Sequence, residues 1–507
     1  MKDATTPIRR VAVLGGGISG LSAAYTLACA RQAGEPIAEF LIEALDRLGG
    51  VISTERIEGF VIEAGPDSFL AEKPEAAALC RELGLGESLL GSNDDERRTY
   101  ILQHGRLVPL PDGLMFLVPT RIWPMVTTPL LPLRAKLSMA LEWFAKPRRE
   151  EAEDESVADF VTRHFGQAML EYVADPLLAG VYGGDSRALS VRSVLPRFWE
   201  MERQWGSLTR ATLGAMRHRR QAISNNSGPA DSSSPGGRET PQRPLPLFMT
   251  LKGGLDQLPT ALADQLDQAR VYLGRQATSL EPASTQPHGM RKYRIHCEGS
   301  MPFDADAVIL AMPAHACGRI LSPLNGDLSA LLQEIPYNSS MTVSLAYDAH
   351  ATSLLPPGFG FLVPRKENRR MLACTFVHGK FRYRVPEGQA LLRCFFGGAR
   401  DPGVLDLSNE EIVAVARREL REILDFSPEP RFARVYRWPA SMAQYEVGHA
   451  ARLAAIRQEL QTLPGVFLAG NAYSGIGISD CVRSGRVAGK DALEYLANGS
   501  ARRCSVT

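Results

Sequence analysis

The chain has 507 residues, of which 45% are hydrophobic and 22% charged, and its net charge is +1. A chain of this length is expected to form two or three subdomains with ordinary apolar cores, and its near-zero charge argues against nucleic acid as a partner. The eight cysteines are scattered without a CxxC pair, which predicts reduced packing residues and no metal site.

The first ten residues are polar and lead directly into an apolar run, without the hydrophobic segment of a secretory signal. This pattern predicts a cytoplasmic location. The longest apolar stretch, residues 107–133, is interrupted by six prolines, which argues against a membrane span. Peripheral contact of this stretch with the inner face of a membrane remains a hypothesis. The basic run at residues 217–220 offers a second hypothesis of that kind, although a solvated helix end is the favoured interpretation of that run.

The chain begins with the pattern of a βαβ unit. Residues 10–14 read as a buried strand, 15–20 as a tight turn, 21–31 as a helix and 39–43 as a second strand. From residue 112 to residue 220 the pattern becomes helical, with long segments at 133–146, 156–165 and 168–174. Residues 221–246 are dense in Ser, Gly, Pro and Asn, which predicts a disordered insertion.

The second half is rich in strand patterns after a turn and helix at 251–262. The expected strands are 269–273, 291–297, 305–311, 341–346, 359–364, 371–377 and 390–396. A final strand at 466–469 and an amphipathic helix at 479–496 resemble the opening segments. We therefore expect the two ends of the chain to form one discontinuous domain.

The turn after the first strand fits GxGxxG, with Gly15, Gly17 and Gly20 at the glycine positions and Gly16, Ile18 and Ser19 between them. Such a loop lets backbone N–H groups approach a pyrophosphate at a helix N-terminus. Glu43 ends the second strand, where a carboxylate can bind ribose hydroxyls. The combination predicts a bound dinucleotide.

Two further turns favour FAD over NAD. Arg47, Leu48, Gly49 and Gly50 form an RxGG turn of the kind that supports FAD in two-domain flavoproteins. Gly475, Ile476 and Gly477 precede the final helix, whose N-terminus can face the same cofactor. Because no closely spaced cysteine pair exists, we expect the flavin to act without a redox-active disulfide.

At this level of detail the chain resembles the FAD-dependent protoporphyrinogen and coproporphyrinogen III oxidases of haem biosynthesis, within the amine-oxidase-like flavoproteins. The resemblance covers most of the chain. It is carried by VAVLGGGISGLSAAYTL at 11–27, RLGGVIST at 47–54, EAGPDSFL at 63–70, DPLLAGVYGGDSRALSVRS at 175–193, LKGGLDQLP at 251–259 and GNAYSGIGISDCVRSGR at 470–486. The segments around Gly65 and Gly180 are the most specific of these.

The resemblance implies a set of contacts with the flavin or adenine beyond the glycine turn, Glu43, Arg47 and Gly50. These are Ala44, Val51, Gly65, Pro66, Asp67, Ser68, Ala277, Trp438, Ile476, Gly477 and Ile478. It places the backbone carbonyl of Gly180 opposite the pyrrole N–H groups of the substrate. Leu362 and Phe381 fall where the family has apolar residues around the rings, although a purely structural core role fits them equally well.

Substrate recognition departs from the eukaryotic pattern at one point. Eukaryotic family members carry an arginine that is thought to meet a propionate, whereas this chain has Thr99 there and Arg98 one residue earlier. The departure favours the bacterial branch, which includes enzymes for the four-propionate substrate coproporphyrinogen III. Arg98 is the candidate propionate contact, and protoporphyrinogen IX remains an alternative substrate.

The implied reaction removes six electrons in three flavin cycles, with O₂ reduced to hydrogen peroxide. Positioning a bridge carbon near flavin N5 is the main requirement, so we assign no catalytic acid or base. No histidine among His104, His164, His315 and His378 has a carboxylate at motif spacing, which predicts structural or solvated roles.

The expected fold is therefore α/β, with a Rossmann-like FAD-binding domain of the two-dinucleotide-binding type, a β-rich substrate domain and a helical subdomain. The expected boundaries are 1–92, 247–307 and 438–507 for the FAD-binding parts, 93–111 and 308–437 for the substrate domain, 112–220 for the helical, membrane-facing candidate and 221–246 for the insertion.

Two other functions remain open: another oxidase or desaturase of the superfamily, and a non-catalytic FAD-holding scaffold for porphyrin delivery. A homodimer and a transient contact with the next haem-pathway enzyme also remain open.

Overall fold

The computed structural model describes residues 7–115, 118–147, 153–215, 217, 245–285 and 291–498. Most of the predicted insertion and all but Arg217 of the basic run at 217–220 lie outside these residues. The described part divides its strands among two large sheets and several small ones.

A five-stranded parallel sheet contains the first predicted strand. Its order is Val271–Tyr272, Ile37–Ile42, Arg9–Leu14, Ala307–Leu310 and Val466–Leu468, so Ala307–Leu310 separates the first strand of the chain from the last. The central strands are buried along most of their length, as expected for a parallel sheet covered on both faces. Strands from both ends of the chain thus belong to one sheet.

Two helices from opposite ends of the chain pack against each other beside this sheet. They are Ile18–Gln32 and Ile478–Asn498. A Cβ on Gly485 would lie 2.0 Å from the carbonyl oxygen of Ser19, so only glycine permits this close crossing. The contact holds the start of the last helix next to the glycine turn.

The second large sheet has seven strands and a mixed topology. Its order is Phe432–Ala443, Tyr337–Tyr347, Ala390–Gly397, Ala373–Phe376, Gly360–Leu362, Thr99–Gln103 and Arg106–Pro109. The helix Asn409–Leu424 packs on it and begins with a capping box formed by Ser408 and Glu411. The predicted strands in this half are all present, usually shifted by one to three residues at their ends.

The helical region lies between the strands Val118–Pro119 and Phe248–Leu251 in sequence. Its helices are Ile122–Thr127, Leu133–Leu141, Val157–Phe165, Gln167–Met169, Asp175–Tyr182, Val191–Val194 and Pro196–Trp205. The predicted helix 133–146 ends earlier, at Leu141, and a 3₁₀ turn follows at Glu142–Phe144. Leu170–Ala174 is a π-helical segment that continues into Asp175–Tyr182.

Smaller elements complete the described chain. The strands are Thr54–Ile57, Phe60–Glu63, Phe69–Leu70, Leu89–Gly91, Leu114–Met115, Val118–Pro119, Phe248–Leu251, Ala277–Thr285, Arg291–Cys297 and Phe303–Ala305. The helices are Glu75–Glu82, Gln257–Ala263, Ala314–Leu321, Gly326–Gln333, Ala349–Thr352, Val377–Lys380 and His449–Leu460. None of the described helices is long and apolar enough to cross a membrane.

Candidate cofactor and substrate site

The glycine turn is shaped by close backbone contacts. Gly15 has a φ of +108°, and a Cβ on Gly20 would lie 1.8 Å from the Gly15 carbonyl oxygen. By contrast, a Cβ on Gly17 would meet nothing within 4 Å. No side chain caps the helix that begins at Ile18, so its first N–H groups are available to an anion beside Gly17.

Glu43 lies directly beneath this turn. One carboxylate oxygen accepts the Gly16 N–H at 2.5 Å and the other accepts the Leu45 N–H at 2.8 Å. A carboxylate offers about four acceptor positions, so capacity remains for ribose hydroxyls. Glu43 therefore holds the turn in place and keeps acceptor sites for a ligand.

A line of backbone contacts runs from this turn toward the seven-stranded sheet. Gly17 and Gly49 form a β-bridge, and a Cβ on Gly50 would lie 3.1 Å from Gly17 Cα. A Cβ on Gly65 would lie only 1.9 Å from the Val51 carbonyl oxygen. Arg47 fixes the middle of this line by donating to the Gly50 carbonyl at 2.7 Å. The resulting continuous strip suits an extended dinucleotide.

The segment of residues 64–68 joins this strip to the seven-stranded sheet. Trp438 Nε1 donates to the Ala64 carbonyl at 2.9 Å, and Thr342 Oγ1 donates to the same oxygen at 3.1 Å. Lys380 Nζ lies 3.0 Å from Asp67 and donates to Ser68 Oγ at 3.1 Å. Residues of the seven-stranded sheet and of the helix Val377–Lys380 thus fix the conformation of this segment, whose central residue is Pro66.

The remaining predicted cofactor contacts approach from two directions. Ile476, Gly477 and Ile478 lie at the start of the last helix, next to the glycine turn. Ala277 starts a strand two residues after Arg275, whose N–H donates to the Glu43 carbonyl at 2.9 Å. Ala44 and Val51 are exposed. The structure thus brings the first turn, Glu43 and the C-terminal segment into one neighbourhood.

The predicted substrate residues divide into three places. Gly180 is exposed on the helix Asp175–Tyr182, and its Cβ position lies 3.5 Å from Leu362 Cδ2. Phe381 is instead buried, with the guanidinium of Arg384 4.8 Å from its ring centre. Arg98 is exposed just before the strand Thr99–Gln103, and its carbonyl accepts the Phe359 N–H. Gly180 and Leu362 meet, whereas Phe381 lies in a buried, charged environment.

The histidines have varied surroundings. His164 is buried between Glu142 and Glu202, at 3.3 and 3.2 Å from its two ring nitrogens, so it has two carboxylate partners that do not lie at motif spacing in the sequence. Sequence spacing missed these partners because they come from other helices. His378 is half-buried against a backbone carbonyl, and His315 packs edge-on against Tyr337 at 5.0 Å.

Sequence reasoning missed several buried charges close to residues 64–68. Arg393 lies in the otherwise apolar strand Ala390–Gly397 and donates to the carbonyls of Ala64 and Gly65. Arg384 forms a buried ion pair with Glu63 at 2.8 Å. A lone arginine inside an apolar strand is itself an unusual pattern, because unpaired charges are rarely buried. That pattern was the available signal for Arg393.

Residues 18–493 match the family described as flavin containing amine oxidoreductase. This chain belongs to that family. A coproporphyrinogen III oxidase of Bacillus subtilis (strain 168) is 33% identical to this amine oxidoreductase over 96% of this chain and 98% of its own length. Protoporphyrinogen oxidase 1, chloroplastic, of Spinacia oleracea is 28% identical over 96% and 84% of the two chains.

Solved structures agree with the fold of this amine oxidoreductase. A crystal structure from Exiguobacterium sp. 255-15 is 29% identical, has a TM-score of 0.80 and covers 96% of this chain and 99% of its own. Cyclohexylamine oxidase from Brevibacterium oxydans IH-35A shares the fold with a TM-score of 0.67 at 18% identity, over 97% and 100% of the two chains. The predicted α/β fold and FAD as the cofactor are thereby confirmed. The protein is an FAD-dependent oxidase, and the glycine strip fits that cofactor because close backbone approach leaves the face beside Gly17 open.

Proposed function

We propose that this amine oxidoreductase oxidises a porphyrinogen to a porphyrin in haem biosynthesis, with O₂ as the electron acceptor. Two relatives named for porphyrinogen oxidation match nearly the whole chain. The observation that carries the proposal is the exposed backbone at Gly180, whose Cβ position lies 3.5 Å from Leu362 Cδ2. The missing side chain leaves main chain next to an apolar residue, and a flat macrocycle would lie against that surface.

The proposed cofactor contacts are those that the sequence predicts. Gly17 and the N-terminus of the helix Ile18–Gln32 would hold the pyrophosphate, Glu43 the adenosine ribose, and residues 64–68 with Trp438 the flavin side. The support is the unbroken strip of backbone contacts from Gly17 through Gly50 and Val51 to Gly65. Gly17 follows the strand Arg9–Leu14 of the five-stranded sheet, and Arg393 of the seven-stranded sheet donates to the Gly65 carbonyl at the other end.

The chain's own contribution to the reaction would be orientation and exclusion of water. Bound FAD would accept a hydride from a methylene bridge of the substrate and pass the electrons to O₂ as hydrogen peroxide. The adjacent pyrrole stabilises the cation left behind, so no protein acid or base is required. Gly180 and Leu362 would hold the macrocycle with a bridge carbon about 3 to 3.5 Å from the acceptor atom.

The propionates are the proposed basis of substrate choice. Arg98 is exposed beside the strand that carries Leu362 in register, because Thr99 pairs with Gly360 and Ile101 with Leu362. A guanidinium suits a carboxylate through paired hydrogen bonds. We propose coproporphyrinogen III, with four propionates, as the preferred substrate over protoporphyrinogen IX.

The deciding experiment compares the catalytic efficiency of purified, FAD-loaded protein on the two porphyrinogens. Porphyrin fluorescence and peroxide release should rise together and faster with coproporphyrinogen III. Equal efficiency on the two substrates would show that the protein does not distinguish them by their number of propionates. Activity only with amines or with a carotenoid precursor would reject the proposal in favour of another superfamily reaction.

A scaffold that delivers porphyrin without oxidising it remains the non-enzymatic alternative for this site. Mixing the loaded protein with porphyrinogen under anaerobic conditions separates the two functions. Loss of the oxidised flavin absorbance supports catalysis. Persistence of that absorbance in the presence of bound porphyrinogen would favour the scaffold.

We also propose a peripheral membrane contact through an apolar stripe, formed by Leu133, Leu137, Leu141 and Phe144. The three leucines recur every four residues on one helix and therefore share a face, opposite the buried Ala135 and Met139. Their exposed fractions run from 61% to 82%, and Trp123 is 75% exposed nearby in sequence. The exposed Arg134 and Lys146 would complement anionic lipid headgroups.

A further inference from the structure

A cluster of five charged side chains lies buried against residues 64–68. It consists of Glu63, Asp67, Lys380, Arg384 and Arg393, and the three cations outnumber the two carboxylates by one positive charge. Two ion pairs are recognisable within it: Lys380 with Asp67 at 3.0 Å and Arg384 with Glu63 at 2.8 Å. Arg393 is the cation left without a carboxylate of its own.

Arg393 is held against the backbone instead of against an acid. It is 3% exposed, its Nη2 donates to the carbonyls of Ala64 and Gly65, and its guanidinium lies 4.8 Å from the Phe395 ring centre. Its Nε donates to no acceptor among the described residues. Arg384 Nε and the Tyr383 hydroxyl are also buried without a partner in that part of the chain.

The energetics of this arrangement favour additional negative charge. Burial lowers the pKa of Arg393, while the charges of Asp67 and Glu63 oppose that effect. Burial would raise the pKa of Asp67, but Lys380, Arg393 and Arg384 outweigh it and hold the pKa well below its usual range. A surplus cation that water screens poorly interacts strongly with any charge that appears nearby.

We propose that Arg393 is a positioning residue that acts through the Gly65 backbone and raises the reduction potential of the bound FAD. The proposal rests on the proposed placement of the flavin against residues 64–68. Reduction adds negative charge to the cofactor, and a buried positive charge on the opposite side of one peptide stabilises the reduced form relative to the oxidised form. The protein thereby becomes a stronger acceptor for the substrate's electrons.

Two substitutions at one position separate charge from geometry. Arg393→Gln keeps a donor for the Gly65 carbonyl and removes the positive charge. Arg393→Lys keeps the charge and loses the planar fork that reaches both carbonyls. Arg393→Met supplies a second neutral variant if the glutamine variant fails to fold.

A matched control lies on the edge strand Phe432–Ala443 of the same sheet, separated from the strand of Arg393 by Tyr337–Tyr347. Arg437 also donates to a backbone carbonyl, that of Leu407, but it is not part of the buried cluster. Arg437→Gln therefore removes an arginine of the same sheet without changing the charge behind Gly65.

The measurement is the two-electron reduction potential of each FAD-loaded variant, determined anaerobically against a reference dye without porphyrinogen. Arg393→Gln and Arg393→Met should lower the equilibrium constant for reduction at least about tenfold, which is about 30 mV for two electrons. Arg393→Lys and Arg437→Gln should stay near the wild-type value.

Unchanged potentials in both neutral variants would overturn the proposal, and so would an equal fall in Arg393→Lys, because that result would assign the effect to geometry alone. The potential is measured without porphyrinogen, so this test does not depend on the proposed substrate. If the variants show the predicted shift but the protein oxidises no porphyrinogen, only the proposed substrate is refuted.

Discussion

Gly17 and Gly20 have different reasons for being glycine. A Cβ on Gly20 would collide with the Gly15 carbonyl in the protein itself, whereas a Cβ on Gly17 would enter open space. A substitution at Gly17 can therefore affect ligand binding without disturbing the fold, whereas a substitution at Gly20 would disturb the fold. A Cβ at that position would interfere with a pyrophosphate that lies against the main chain.

We predict that Gly17→Ala leaves the thermal unfolding of the apoprotein unchanged and weakens FAD binding at least about tenfold, or 1.4 kcal/mol. Fluorescence titration of the apoprotein with FAD measures the affinity. Gly214→Ala is the matched control, because a Cβ there also meets nothing within 4 Å and the residue lies in the helix at residues 208–215, outside the predicted cofactor contacts. Equal affinity in the two variants would contradict the placement of the pyrophosphate.

The exposed position of Gly180 leads to a corresponding prediction about the substrate site. A Cβ there would be in ordinary contact with Leu362 and the position is exposed, so Gly180→Leu should fold normally while its longer side chain covers the backbone against which we place the macrocycle. We expect kcat/KM for coproporphyrinogen III to fall at least about tenfold, since small displacements of a reacting atom are costly. Val181→Ala, at the exposed neighbouring position, should retain activity. Normal turnover by the leucine variant would remove Gly180 from the substrate site.

The site residues differ in how far sequence could predict them. Gly15, Gly20 and Glu43 belong to one local motif, and their packing follows from a single strand–turn–helix unit. Arg393 and Lys380 are understandable only with their partners from residues 63–68, more than 300 positions away. The placement of Phe381 among charges depends on the same long-range contacts, which no local pattern contains.

At the scale of elements, Glu142, His164 and Glu202 connect four helical segments. Glu142 also accepts the N–H groups of Leu208 and Thr209, which caps the helix that begins there. Burial alone would lower the pKa of His164, but the hydrogen bonds to Glu142 and Glu202 raise it above its usual value. Burial would raise the pKa of Glu202, but His164 and Arg163 hold it at about 2.

These shifts predict a pH dependence of the free energy of unfolding. The folded pKa of His164 lies above its unfolded value, so its contribution is complete below about pH 6.5 and is lost as the pH rises through the folded pKa. Thermal unfolding between pH 6 and pH 9 should therefore show a smaller decline in His164→Gln than in the wild type. His350→Gln, at an exposed histidine, should keep the wild-type slope. A wild-type slope in His164→Gln would contradict the prediction.

One edge strand of the seven-stranded sheet forms although its local sequence does not favour a strand. The strand Phe432–Ala443 contains Pro439 and two arginines, which disfavour a strand by propensity. It forms because it is an edge strand, where a missing N–H is tolerated, and its pairing shifts between Asn338 and Ser340. Arg434 and Tyr436 are bound by Glu55 from another sheet. Tertiary contacts, not the local sequence, stabilise this strand.

At the scale of the whole molecule, the apolar stripe predicts binding to anionic vesicles at low salt. Replacing Leu137 and Leu141 by glutamate should abolish co-flotation with the vesicles and leave FAD content unchanged, because both side chains are exposed. Met301→Glu provides an exposed apolar control outside the helical region. Absence of wild-type flotation would reject the membrane proposal.

The overall division of the chain was predictable in outline because periodicity changes from strand to helix and back along the sequence. The order of strands in the sheets was not, since it depends on pairings between distant segments. The domain boundaries given above remain a prediction.

The parallel sheet has a consequence for biosynthesis. Its first strand, Arg9–Leu14, pairs with Ala307–Leu310, and the edge strand Val466–Leu468 comes later still. At about 20 residues per second, the ribosome needs on the order of 20 seconds after the first strand before the last one exists. The first strand can pair with Ile37–Ile42 early, but its other edge must wait for Ala307–Leu310, and the sheet is complete only with Val466–Leu468. We therefore expect the nascent chain to depend on chaperones and to acquire its flavin only after translation is nearly complete.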